Sequence, residues 1–118
     1  MEKNWHKEKE LKIKFRDPIY NDLEGVYIFQ TNHVNGKPFW LQSEGLNAIW
    51  YVNHLWMIGN KATLGKMFGR IHSKDSVGPL EASTWMYNSE IYHDGDVKWI
   101  ETTDLIKITG INSYRLNK

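Results

Sequence analysis

Residues 48–60 read AIWYVNHLWMIGN. Two apolar runs, Ala48 to Val52 and Leu55 to Ile58, flank the dipeptide Asn53-His54. Asparagine accepts a left-handed backbone at low cost. Two residues between β-branched and aromatic runs therefore predict two antiparallel strands joined by a tight hairpin. Gly59-Asn60 ends the second strand. The same grammar extends upstream. Val26 to Gln30 (VYIFQ) follows Gly25, and Asn35-Gly36 supplies the positive φ of a type I′ turn. Phe39 to Gln42 (FWLQ) returns after Lys37-Pro38, where proline fits only a strand start or an edge. Further back, Leu11, Ile13 and Phe15 alternate with Lys12, Lys14 and Arg16, the period-two signature of a half-buried strand. Asp17-Pro18 ends it.

Downstream the pattern loosens. Met67, Phe68 and Ile71 are apolar, but Gly65, Gly69 and Gly78-Pro79 leave no room for a useful helix. One short strand around 67–72 is expected. Thr84 to Tyr87 (TWMY), Val97 to Glu101 after Asp94-Gly95, and Leu105, Ile106 and Ile108 complete the series. The fold class that follows is all-β: a single small antiparallel barrel, roll or sandwich of about eight short strands. A polar N-terminal arm is expected over 1–10, the Trp-rich β domain over 11–110 and a C-terminal tail over 111–118.

Composition bounds the function. The chain has 118 residues, room for one domain. The formal net charge of +1 gives no global attraction to nucleic acid or acidic lipid. The absence of cysteine removes disulfides, zinc–thiolate sites and thiol chemistry together, and fits a reducing compartment. The N-terminus lacks an apolar signal region, and no run approaches the roughly 20 apolar residues of a membrane span. The expected location is intracellular, in the cytoplasm.

Gly25-Val26-Tyr27, Val34-Asn35-Gly36-Lys37-Pro38-Phe39-Trp40, Ile49-Trp50-Tyr51 and Trp56-Met57-Ile58-Gly59 follow one another in that order, and Ser73 or Ser76, Pro79 and Trp85 come after them. This order resembles a small Trp-rich β module found in eukaryotic multidomain proteins, over roughly residues 23–110. The resemblance implies a β module usually embedded beside other domains. The module has no settled activity, so no functional residue is carried over. Read physically, the motif is architecture: Asn35-Gly36 turns the chain, Pro38 stiffens the exit, and Trp40, Trp50 and Trp56 are expected to face one another across two hairpins.

No catalytic motif is present, and the expected protein is not an enzyme. His6, His33, His54, His72 and His93 stand singly, without the spacing of a metal site. His93-Asp94-Gly95-Asp96 reads more simply as a turn than as a ligand set. The carboxylates, mostly beside turn residues, do not form a recognisable acid–base pair. There is no nucleophile elbow and no P-loop. The Gly-rich, basic stretch from Leu64 to Arg70 offers backbone amides to an anion, or simply a mobile connection. Trp5 among Lys3, Lys7 and Lys9 is offset by Glu2, Glu8 and Glu10, so nucleic acid is not an expected partner. No cofactor, metal or membrane is expected either.

The aromatics carry the functional expectation. The chain has six tryptophans. Adjacent pairs such as Trp50-Tyr51 and Phe39-Trp40 point to opposite faces of a strand. One of each pair must leave the primary core unless a second layer covers it. Trp40, Trp50, Tyr51, Trp56, Trp85 and Tyr87 are therefore the candidate surface aromatics. They suit a non-catalytic protein-interaction or assembly module, contacting another protein or a second copy. The alternatives are a carrier of a small ligand in a lipocalin-like barrel and a carbohydrate-binding module that stacks sugars on exposed tryptophan.

Overall fold

A computed structural model describes residues 9–74, 78–91 and 97–112. Among the described residues nine strands form one sheet: β1 (Lys9–Phe15), β2 (Gly25–Val34), β3 (Lys37–Gln42), β4 (Asn47–Val52), β5 (Leu55–Asn60), β6 (Ile71–Ser73), β7 (Trp85–Ile91), β8 (Val97–Glu101) and β9 (Ile106–Asn112). Each pairing is antiparallel, and the order is β8-β7-β6-β5-β4-β3-β2-β1-β9. The architecture is all-β, and of the three expected forms it is the barrel, nearly closed.

Closure follows from chain length. In a flat sheet of nine strands, about 4.8 Å apart, β8 and β9 would lie roughly 38 Å from each other. The chain from Glu101 to Ile106 reaches at most about 18 Å. The sheet must curl until its two ends meet. The strand directions agree with this. Seven antiparallel steps lead from β1 to β8 and one leads from β1 to β9, so β8 and β9 run the same way. One chain path therefore leaves the edge of β7, passes a 3-10 turn at Thr103–Leu105 and joins the edge of β1. The crossing is tied on both sides. Thr102 N donates to Trp85 O at 2.7 Å, and Arg16 N donates to Leu105 O at 3.0 Å.

The turns form where the sequence places them. Asn35 and Gly36 have φ of 56° and 86°, and Asn53 and His54 have φ of 51° and 70°. Both pairs have the left-handed backbone of a type I′ hairpin, whose twist matches that of the strands. Elsewhere the boundaries move. β1 begins at Lys9, so Lys9 and Glu10 are strand rather than arm, and β9 carries Ile111 and Asn112 out of the expected tail into the sheet. The short strand expected over 67–72 is Ile71–Ser73 instead. The rest of the arm (1–8), the rest of the tail (113–118), the Asp94-Gly95 turn, His93 and Ser76 lie outside the described residues.

The barrel interior is filled. Leu11, Ile13, Tyr27, Trp40, Ile49, Trp56, Ile58, Ile71 and Trp85 come from seven consecutive strands and form one buried cluster with Tyr20 and Leu23. Tyr20 and Leu23 belong to a 3-10 turn at Pro18–Leu23. Within this core the rings of Phe29, Trp40, Trp56 and Tyr51 follow one another edge to face, with centroids 5.6, 5.7 and 5.5 Å apart. Each such contact adds about 0.5–1.5 kcal/mol beyond its buried area. Where the β5–β6 ladder stops, Ser73 Oγ accepts from Trp56 N at 2.9 Å.

Two phenols are committed to this core. Tyr27 donates to Leu23 O at 2.7 Å, and the Tyr20 ring lies 4.8 Å from Phe15 and 5.3 Å from Tyr87. Burial raises both phenols above their ordinary value of 10.0, aided by a hydrogen bond with Tyr87 for Tyr20 and by the Asp22 charge for Tyr27. The unfolded chain releases these protons near pH 10 while the folded chain keeps them. Their stabilising effect is complete below that pH and is lost as pH rises beyond it. Denaturant midpoints should therefore hold steady from neutral pH to about pH 9 and fall above about pH 10. Tyr20→Phe should flatten the fall. A midpoint that stays level well above that pH contradicts the assignment.

Candidate functional site

β4 and β5 present two apolar faces. Pairing sets Ile49 opposite Ile58 and Tyr51 opposite Trp56 on the inner side, and Ala48 opposite Gly59 and Trp50 opposite Met57 on the outer side. Phe39, Ala48, Trp50 and Met57 make a second buried cluster there, flanked by Val34, Leu41, Val52, Leu55 and Leu64. Its cover is the connection between β5 and β6, residues 61–70, which lies over the outer face as a strap.

The strap is held at several points. Trp50 Nε1 donates to Lys66 O at 3.0 Å, Asn35 Nδ2 donates to Gly65 O at 3.0 Å, and Arg70 N donates to Ile58 O at 2.8 Å. The Thr63 hydroxyl lies 2.9 Å from both Asn60 O and Phe68 O. Two glycines permit the close approach. A Cβ on Gly59 would sit 2.8 Å from Gly69 Cα, and a Cβ on Gly69 would sit 2.6 Å from Met57 Cγ and 3.0 Å from Ile58 O. Full burial of an indole such as Trp50 stabilises by about 4–6 kcal/mol from area alone.

This arrangement corrects the aromatic expectation. Trp50 is completely buried, and Trp40, Trp56 and Trp85 are 8%, 4% and 3% exposed, so none of the four is a surface aromatic. Trp40, Trp56 and Trp85 line the interior because the sheet curls around them. Trp50 points the other way but lies under the strap, so it does not face Trp40 and Trp56 as expected. Tyr51 and Tyr87 are half-buried and pack against the core. Trp40, Trp56 and Trp85 fill the barrel interior, and Trp50 is covered from outside. The Leu64–Arg70 stretch is not a loose connection but the pinned cover of a second core.

What remains exposed was not among the candidates. Among the described residues Leu46 is 64%, Phe68 61%, Met67 49% and, away from the strap, Leu80 36% exposed. Met67 and Phe68 are consecutive on the strap. Leu46 meets the strap's start, where its carbonyl accepts from Lys61 N at 2.8 Å. Beside Leu46 opens a polar cleft of about 420 Å³ lined by Asp22, Glu24, Gln42, Glu44, Asn47 and Asn60, among others. Its floor is internally bonded. Gln42 Nε2 donates to Glu24 O at 2.8 Å and to Asp22 O at 3.0 Å, while Asn47 Nδ2 donates to Gln42 Oε1 at 2.9 Å and to Asp22 O at 2.8 Å. Glu24 accepts from Phe15 N at 2.7 Å. Arg70 reaches from the strap to Asp22 at 2.8 Å.

A second cleft, of about 480 Å³, follows the β1–β9 junction between Phe15, Arg16, Asp104 and Leu105 and is mostly apolar. On the outer face the His72 and half-buried Trp99 rings meet edge to face at 4.3 Å. Among the described residues no three His, Cys, Asp or Glu side chains gather as metal ligands, and no helix is long and apolar enough to cross a membrane. The signal for the exposed set was the KMFGR run itself, with two large apolar side chains between cations and no alternation to bury them. No family model, curated protein or solved structure matches the chain. Asn35-Gly36, the tryptophans and Gly59 are accounted for here as turn, core and cover.

The strap's seat depends on the absence of a side chain at residue 69. Gly69→Ala should lower unfolding stability by about 1–3 kcal/mol, as overpacking at a close contact does, read from denaturant unfolding curves. An unchanged curve contradicts the tight seating of the strap.

Proposed function

We propose that the protein is a non-catalytic protein-interaction or assembly module whose contact surface is the strap and the adjoining β3–β4 turn. The observation that carries this reading is the exposure of Met67 and Phe68 on a backbone fixed by Trp50, Thr63 and the Gly59–Gly69 contact. Large apolar side chains on a preformed surface lose little conformational freedom on binding, so more of their burial appears as affinity. Leu46 widens the patch toward the polar cleft, and an apolar centre with a polar rim is the usual anatomy of a protein contact. The functional class expected from the sequence is kept, but its residues are Leu46, Met67 and Phe68 in place of the tryptophans.

The test is site-specific photocrosslinking in the native cell. A photoreactive phenylalanine analogue at position 68 should capture protein in adducts of discrete mass. The same analogue at exposed Thr109, on β9, should not. Absence of adducts from position 68, or equal yields from both positions, contradicts the proposal.

A further inference from the structure

The surface around Phe68 is divided by charge. The strap carries Lys61, Lys66 and Arg70 and no carboxylate. The wall of the adjoining cleft carries Asp22, Glu24 and Glu44. The two halves touch at the Arg70–Asp22 pair and at the Lys61–Leu46 hydrogen bond. Leu46, Met67 and Phe68 are exposed on these same two segments. The patch therefore combines a cationic part, an anionic part and apolar side chains.

We infer that this patch binds a second copy of the chain in a two-fold symmetric contact, with the strap of each protomer against the cleft wall of its partner and the apolar residues between them. The inference rests on the contact-surface reading above and names its occupant. In a two-fold interface one surface must be complementary to itself, each element meeting its counterpart once in each direction. A patch of one sign repels its own copy, whereas a patch divided into two signs attracts it after a half-turn. An anionic lipid surface or an acidic protein would meet Lys61 and Lys66 on the strap but would be opposed by the exposed Glu44 beside it, Asp22 being paired with Arg70 and Glu24 bonded to Phe15 N.

Glu44 is the exposed carboxylate of the β3–β4 turn. It holds φ of +60°, a left-handed backbone that disfavours residues other than glycine. The turn thus carries an exposed carboxylate at a position where glycine would be less strained. The patch is modest, so the contact belongs at the small, reversible end of the interface range.

The test is a charge swap read by sedimentation and light scattering. Lys66 and Glu44 are both exposed, and neither Lys66→Glu nor Glu44→Lys disturbs the core. The native chain should shift from monomer to dimer mass with rising concentration. Each single variant should remain monomeric at concentrations where the native chain is dimeric. An equimolar mixture of the two variants should recover the dimer. At one end of the mixed contact the introduced carboxylate at position 66 meets the introduced ammonium at position 44. At the other end the native Glu44 and Lys66 still meet. Unchanged thermal melting at low concentration, where all forms are monomers, will show that the variants fold.

A native chain that is monomeric throughout, single variants that still dimerise, or a mixture that stays monomeric each overturns the inference. If the monomer instead pellets with phosphatidylserine vesicles and Phe68→Ser abolishes this, the strap meets lipid and the self-contact is excluded. A monomeric protein that still crosslinks a different protein through position 68 removes the self-contact alone. Loss of both leaves neither reading standing.

Discussion

The indole of Trp50 points out of the barrel and must be kept from water, and much of the outer architecture follows from that. A strand that places tryptophan and tyrosine side by side sends one ring to each face of the sheet. The inner ring is covered by curling the sheet. The outer ring needs a separate cover, which the chain supplies by laying residues 61–70 over β4 and β5. That cover needs glycine at 59 and 69, where two backbone segments come within contact distance. It also needs an acceptor for the indole N–H, since burying that donor unpaired costs about 1–3 kcal/mol, and Lys66 O provides it.

The cover has a consequence. A short strap seated against the sheet by its backbone and by Leu64 has no apolar space left for its other large side chains. Met67 and Phe68 are turned outward, and the need to bury Trp50 is what holds them there. Stability and surface chemistry are linked through one segment. A change that lifts the strap exposes Trp50 and displaces the patch together.

Much of the fold was legible in the residues. Asn35-Gly36 and Asn53-His54 locate two hairpins because left-handed backbone is a local property. The alternation from Leu11 to Phe15 locates a half-buried strand because period two is local as well. Barrel closure is not local. It depends on the few residues between β8 and β9 being too short to span an open sheet, and that is visible only once the strand order is known. The site was less legible for the same kind of reason. Alternation shows that Trp50 and Tyr51 face opposite ways but not whether the second face is covered. That depends on Gly59 and Gly69, apart in sequence and in contact across the strap. Counting tryptophans therefore points to rings that the structure buries, while Phe68 stands exposed in a stretch with no alternation to mark it.

If the strap is a fixed layer over Trp50, hydrogen exchange at the Trp50 indole N–H will report it. An indole sealed beneath the strap and bonded to Lys66 O should exchange as slowly as the backbone amides of β4 and β5, through global unfolding. Exchange at the rate of a solvent-exposed indole, while those amides remain protected, would contradict the account, because the second core and the patch built on it would then be open to water.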